Sequence, residues 1–199
     1  HQQPTMQQRA QAHGRQPALG ANGDQEGCAA HWTMLPSLCL LASPMKLATY
    51  DDGSRDGQLL VVSRDLAQAH YATGIATRLQ QVLDDWGFLL PQLEDLGTQL
   101  NQGRLRHAFN FEPQKCRAPL PRSFGWASAD AGGLIRGGGD DFLGPMAAAR
   151  FASEAMAIGC LPGLAAITGD VAQGVSAAQA LDGVRLLMLV ADWRLAAVQ

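Results

Sequence analysis

The sequence predicts an α+β chain, and three observations carry that expectation. Two short β-prone runs flank an Asp/Gly/Ser turn region around residues 51–57. Apolar residues then recur at helical spacing between about 66 and 100. The last third returns to short apolar β runs punctuated by glycines. The 199 residues are 47% hydrophobic and 17% charged, a globular composition. A net charge of −3 and no Lys/Arg stripe interleaved with aromatics argue against a nucleic-acid partner. No apolar run approaches the ~20 residues that span a bilayer, so no membrane partner is expected.

Residues 1–44 stand apart. HQQPTMQQRAQAHGRQPALGANGDQEG is rich in Gln, Ala and Gly and has no apolar periodicity. Such a segment cannot bury enough surface to offset its own ordering. The chain begins with His, and regular structure begins at Met45-Lys46, so 1–44 is expected to be a disordered tail or non-native upstream sequence. Its stretch MLPSLCLLASP, 34–44, resembles a signal h-region but lacks a positive n-region, and Pro36 interrupts it. Cys28, Cys39, Cys116 and Cys160 form no Cys-x-x-Cys, and no His lies at ligand spacing from them. Neither a disulfide framework nor a zinc site is expected; reduced cysteines in a cytoplasmic protein are.

From Met45 the elements follow in order. MKLATY, DDGSRDG and QLLVVS predict a β-hairpin. Ser63 or Asp65 can cap a helix in which Leu66, Ala69, Ile75, Leu79, Val82, Leu83 and Trp86 keep helical spacing, with Gly87 ending it. Pro91 suits the first turn of a second helix with Leu93, Leu96 and Leu100 on one face, stopped by Asn101 and Gly103. Residues 45–107 therefore read as a small β-hairpin/two-helix domain. Pro113, Pro119 and Pro121 mark 108–122 as a linker. The triple glycine at 137–139 reads as a flexible loop, since no Gly-Lys-Ser/Thr follows to make a phosphate loop. FASEAMAIG, 151–159, fits helix or strand. LAAITGDV reads as a buried strand running into a turn, with Leu161-Pro162-Gly163 as a breaker before it. Ser176 and Gln179 have capping-box spacing before a short helix closed by Gly183. RLLMLV is an apolar β run with Asp192 just past its end. A carboxylate there suits a metal ligand or a catalytic acid, and equally a cap or turn residue; on the sequence alone the cap or turn reading is preferred. His70, in the first predicted helix, and His107, in a loop, read as structural histidines.

The stretch MKLATYDDGSRDGQLLVVSRDLAQAHYATGIATRLQQVLDDWGFLLPQLEDL strongly resembles the N-terminal region of bacterial fumarylacetoacetase-like hydrolases. RAPLPRSFGW, GGGDDFLGP, ITGDV and ALDGVRLLMLV, with Asp192 close behind, look like successive landmarks of that family, covering roughly 45 to 192. The resemblance implies that 45–107 is the family's N-terminal domain and that 123–199 is the incomplete start of a β-rich catalytic domain, a rolled mixed sheet. It also implies a homodimer, and hydrolysis of a carbon–carbon bond in a β-diketo acid such as fumarylacetoacetate. In that chemistry a hard cation, Mg²⁺ or Ca²⁺, is held by carboxylates and polarises the substrate carbonyl. A His activates the attacking water.

Carried over residue by residue, the resemblance finds most of this machinery missing. The family's Glu-x-Glu strand falls on Leu161 and Gly163, neither of which offers a carboxylate. The interval ASADAGGLIRGGG, where the family has its catalytic His, contains none, so no catalytic residue is assigned. Asp130 does not align with a ligand. Asp140 and Asp141 persist in the DDFLGP landmark, but the family does not use that pair as its cation cage. Asp192 alone matches a metal ligand, with Ala191 where the family has Asn. The resemblance thus implies a hydrolase lineage with this chain inactive or incomplete. The alternative is a non-catalytic remnant or interaction module that pairs with an intact relative. A damaged reading frame is a third reading. A partial β domain would expose strand edges, so poor stability without a partner is expected.

Overall fold

The computed structural model describes residues 45–130, 133–139, 142–153 and 157–195; the expectation for 1–44 lies outside them. The strands are β1 Lys46–Tyr50, β2 Gln58–Val62, β3 Gln68–Tyr71, β4 Phe109–Asn110, β5 Cys116–Arg117, β6 Ser123–Asp130, β7 Gly133–Gly139, β8 Ile158–Thr168 and β9 Val184–Leu195. The α-helices are α1 Leu79–Asp84, α2 Trp86–Asn101 and α3 Ala177–Leu181. The α+β class holds, and every strand pair among these residues is antiparallel.

Residues 45–117 build a five-stranded sheet in the order β4-β3-β2-β1-β5, with α1 and α2 inserted between β3 and β4. The expected hairpin is its centre: Lys46 to Tyr50 pair with Val62 to Gln58. β2 reads QLLVV because both its faces are covered. Leu59 and Val61 point to the helices and meet Leu79, Val82, Leu93 and Leu100. Leu60 and Val62 lie on the other face with Ala69, Tyr50, Phe109 and Phe111. Gly57 closes the hairpin loop at φ +64°, and a Cβ there would lie 2.5 Å from the Tyr50 carbonyl oxygen, so only glycine suits the turn.

The first predicted helix is wrong over most of its length. Residues 68–71 are β3, paired with β2, and helix is present only from Leu79. Ser63 and Asp65 do cap, but they cap a hairpin turn. The Ser63 hydroxyl donates to Asp65 Oδ1 and accepts from Gln68 N, and Asp65 Oδ1 accepts from Ala67 N. Leu66 stands in that turn at φ 61°. His70 consequently lies on a strand. Gly87 does not end a helix and Pro91 does not open one, for both lie inside α2. α2 does stop at Asn101, as expected.

The segment 108–122, expected to be a linker, supplies both edge strands of the sheet: β4 adds to β3 and β5 adds to β1. The triple glycine is strand β7 rather than a loop. A Cβ at Gly137 would fall 2.5 Å from Trp126 Nε1, so the tryptophan of β6 lies across the glycine backbone.

β8 and β9 form a separate ribbon in which β8 runs unbroken through Leu161-Pro162-Gly163. The expected breaker is therefore part of the strand. In a two-stranded antiparallel ribbon every second N–H faces outward, and proline can stand at such a position. Nor is this strand buried: of β8 only Ile167 is, at 8% exposure. Ile167 joins the N-terminal core, with Leu186 and Met188 of β9 packed against the same cluster. The capping box at α3 is as predicted, Ser176 Oγ accepting from Gln179 N.

Candidate functional site

Asp192 does not sit beyond the end of a strand. It lies inside β9, directly opposite Leu161, while Gly163 faces Val190. Register thus brings the one carried-over ligand beside the position where the Glu-x-Glu pattern would place its first carboxylate. Strand alternation puts Leu161, Gly163, Asp192 and Arg194 on one face. The Asp192 carboxylate accepts from Arg194 Nε at 2.8 Å, and both side chains are partly open to solvent. A hard divalent cation takes six to eight oxygen ligands as Ca²⁺, or an octahedron as Mg²⁺. This face offers one carboxylate, already held by a guanidinium, beside a leucine. Among the described residues no cluster of three His, Cys, Asp or Glu could hold a metal ion. These residues do not fit the cation. Asp140 and Asp141 lie outside the described residues, as does the side chain of Asp130.

A second arrangement was not foreseen from sequence. Asp56, in the β1–β2 loop, accepts from Arg122 Nε and Nη2, both at 2.6 Å, and from Arg78 Nη1 at 3.0 Å. Two guanidinium groups on one carboxylate hold Asp56 below the usual carboxylate range, the Arg122 hydrogen bonds first among the causes. Arg117 Nη1 donates to the Ser54 carbonyl at 2.6 Å and to that of Arg55 at 3.3 Å. The DDGSRDG loop is therefore clamped by arginines from β5 and from the segment after it. The only sequence signal was the pairing of an acidic turn with the arginines of RAPLPR, and nothing local says that they meet.

Two open concavities flank this clamp. One, of about 330 Å³, is lined by Asp56, Arg78, Gln81, Leu120 and Arg122. The other, of about 490 Å³, includes Arg55, Arg117, Arg122, Phe142 and Met146. Neither contains a histidine, and the single cysteine, Cys116 in the second, has its thiol pushed up by burial, the opposite of an activated nucleophile. His70 Nδ1 lies 2.7 Å from its neighbour's carbonyl, Tyr71 O, a local structural contact. His107 occupies a turn at φ 67°. In 45–122 the arginines thus tie the β1–β2 loop to the start of α1 and to the segment after β5.

Among the described residues no helix is long and apolar enough to cross a membrane. Residues 45–122 match a family model described as fumarylacetoacetase N-terminal domain 2. The match begins at the residue before β1 and ends after β5 and the Arg122 clamp, enclosing the whole five-stranded sheet. No curated protein matches the chain.

Proposed function

Residues 45–122 form a fumarylacetoacetase-like N-terminal domain, and from that premise we propose that the chain is of fumarylacetoacetase-type lineage, whose reaction class is hydrolytic cleavage of a carbon–carbon bond in a β-diketo acid. We further propose that this chain does not itself turn over such a substrate. One observation supports this above the others: Asp192 faces Leu161 across the ribbon and is bound to Arg194. A β-diketo acid is held through its oxygens on a multiply ligated cation, and a lone carboxylate already paired with a guanidinium supplies too little charge for that. The free thiols of Cys116 and Cys160 fit a reducing, cytoplasmic setting.

The test is fumarylacetoacetate hydrolysis, followed by loss of the diketo absorbance, with Mg²⁺ or Ca²⁺ present. A thermal melt under the same conditions accompanies it. The expected outcome is no turnover above buffer and no saturable rise in Tm, since only a ligand of the folded state raises it. Cation-dependent turnover, or a Tm rise abolished by Asp192→Asn, would overturn the proposal. Leu161→Glu combined with Arg194→Ala restores a carboxylate pair across the ribbon. That variant is expected to gain a cation-dependent Tm rise that the parent lacks.

The exposed ribbon supports a second reading, a non-catalytic module that works by pairing with another chain.

A further inference from the structure

The larger of the two concavities beside the Asp56 clamp combines arginines with apolar surface. Arg55, Arg117 and Arg122 line it together with Asp51. The three guanidinium groups are engaged to different degrees. Arg117 Nη1 donates to the Ser54 and Arg55 carbonyls, and its Nε lies 3.7 Å from Asp51 Oδ1. Arg122 donates from Nε and Nη2 to Asp56. Among the described residues Arg117 Nη2 and Arg122 Nη1 keep no partner, and the Arg55 side chain has neither a hydrogen bond nor an ion pair. The same lining includes Phe142 and Met146, 41% and 68% exposed. Gly144 fixes their place. A Cβ on it would stand 2.5 Å from the Cys116 carbonyl oxygen, so its backbone runs directly against β5. Ala147 N donates to the Gly144 carbonyl at 3.1 Å and closes the turn that carries Met146.

We propose that this recess binds a small organic phosphate monoester, the phosphate on Arg55, Arg117 and Arg122 and the apolar body on Phe142 and Met146. Charge is the first argument. Three arginines against one aspartate give the lining a formal charge of +2 among the described residues, and the neighbouring Asp56 is matched by Arg78. A phosphate monoester carries nearly two negative charges at neutral pH, with acceptor oxygens that suit guanidinium forks. The distribution of charge is the second. A monoester concentrates its charge at one end, as the recess separates arginines from apolar side chains. A dicarboxylate spreads its charge along its length and would press one carboxylate against Phe142 or Met146, at a desolvation cost. Preorganisation is the third. Arg117 and Arg122 are already held by the β1–β2 loop, so binding orders little that is not ordered beforehand. Neither Asp192 nor a cation takes part.

The test is calorimetric titration of the full chain near neutral pH in ~0.1 M salt, with phenyl phosphate, inorganic phosphate and succinate as probes. Phenyl phosphate is expected to bind saturably with a Kd of about 1 mM or below. Inorganic phosphate should bind about 10-fold more weakly, because it leaves the apolar wall bare, and succinate more weakly still. Arg55→Ala removes no contact of the clamp and should weaken both phosphates about 10-fold. Arg55→Gln, which keeps the side-chain stem, should do the same. Arg104→Ala, at an exposed arginine outside the recess, should change nothing. Phe142→Ser combined with Met146→Ser should bring phenyl phosphate down to the affinity of inorganic phosphate and leave the latter unchanged. A Tm equal to the parent's shows that each variant is folded. No saturable binding of phenyl phosphate up to about 10 mM overturns the proposal. So does an affinity indifferent to both Arg55 variants, or inorganic phosphate or succinate binding as tightly as phenyl phosphate.

Discussion

At the scale of single residues, the DDGSRDG loop shows how much one carboxylate can organise. Asp56 joins the β1–β2 loop to the start of α1 through Arg78 and to the segment after β5 through Arg122. Its folded pKa is depressed, so its contribution to stability is fully present above the unfolded value of about 3.9 and is lost as pH falls through the lower folded value. Asp52 and Asp65 are lowered in the same direction, by hydrogen bonds from Ser54 and Ser63 respectively. The N-terminal unit is thus expected to lose Tm as pH drops below about 4. Asp56→Asn should melt lower than the parent at neutral pH, and the gap should close in acid. A gap that stays constant down to about pH 2 would remove Asp56 from that account.

At the scale of elements, α2 contains two glycines in opposite situations. Gly87 has open space where a Cβ would stand, so Gly87→Ala should stabilise by about 0.5–1 kcal/mol. Gly97 is buried, and a Cβ there would come within 3.3 Å of Met45 Cβ. It lets the helix approach the sheet, and Gly97→Val should destabilise by about 1–3 kcal/mol through overpacking. Denaturant midpoints of the two variants decide this, and equal shifts would mean that the helix does not seat on Met45. The same helix explains a misreading. Gly87 and Pro91 are punctuation by local rules, yet α2 runs through both. Tertiary packing of Leu93, Gly97 and Leu100 against the sheet outweighs the local cost. In residues 66–78 the opposite happened: apolar residues at helical spacing were captured by β2 as strand β3, with Ala69 buried on the sheet's second face.

At the scale of the whole molecule, stability is unevenly distributed. Apart from Ile167, every buried apolar residue among those described lies between Met45 and Ala118. The β6–β7 hairpin and the β8–β9 ribbon are each two-stranded, and they expose Phe124, Leu134, Leu164 and Leu189. Such ribbons are marginal without cover. Native-state hydrogen exchange should therefore find its slowest amides in β1 and β2. β6 and β7 should exchange at a much lower opening free energy.

Several features needed only the chain's own order of residues. The β1–β2 hairpin, the Ser176–Gln179 cap, the end of α2 at Asn101 and the fumarylacetoacetase-like character of the N-terminal domain rest on local turn chemistry, capping and a long ordered set of matches. Other features were decided by contacts between residues far apart in sequence. Strand β3, the edge strands of 108–122, the glycine strand β7 beneath Trp126 and the passage of β8 through Pro162 each depend on a partner strand. The same is true of the candidate site. The resemblance could set Leu161 at the place of a family carboxylate. Only register places it opposite Asp192 and separates a core-facing side of the ribbon from an open apolar one, because a strand's two faces acquire different meanings only when something packs on one of them.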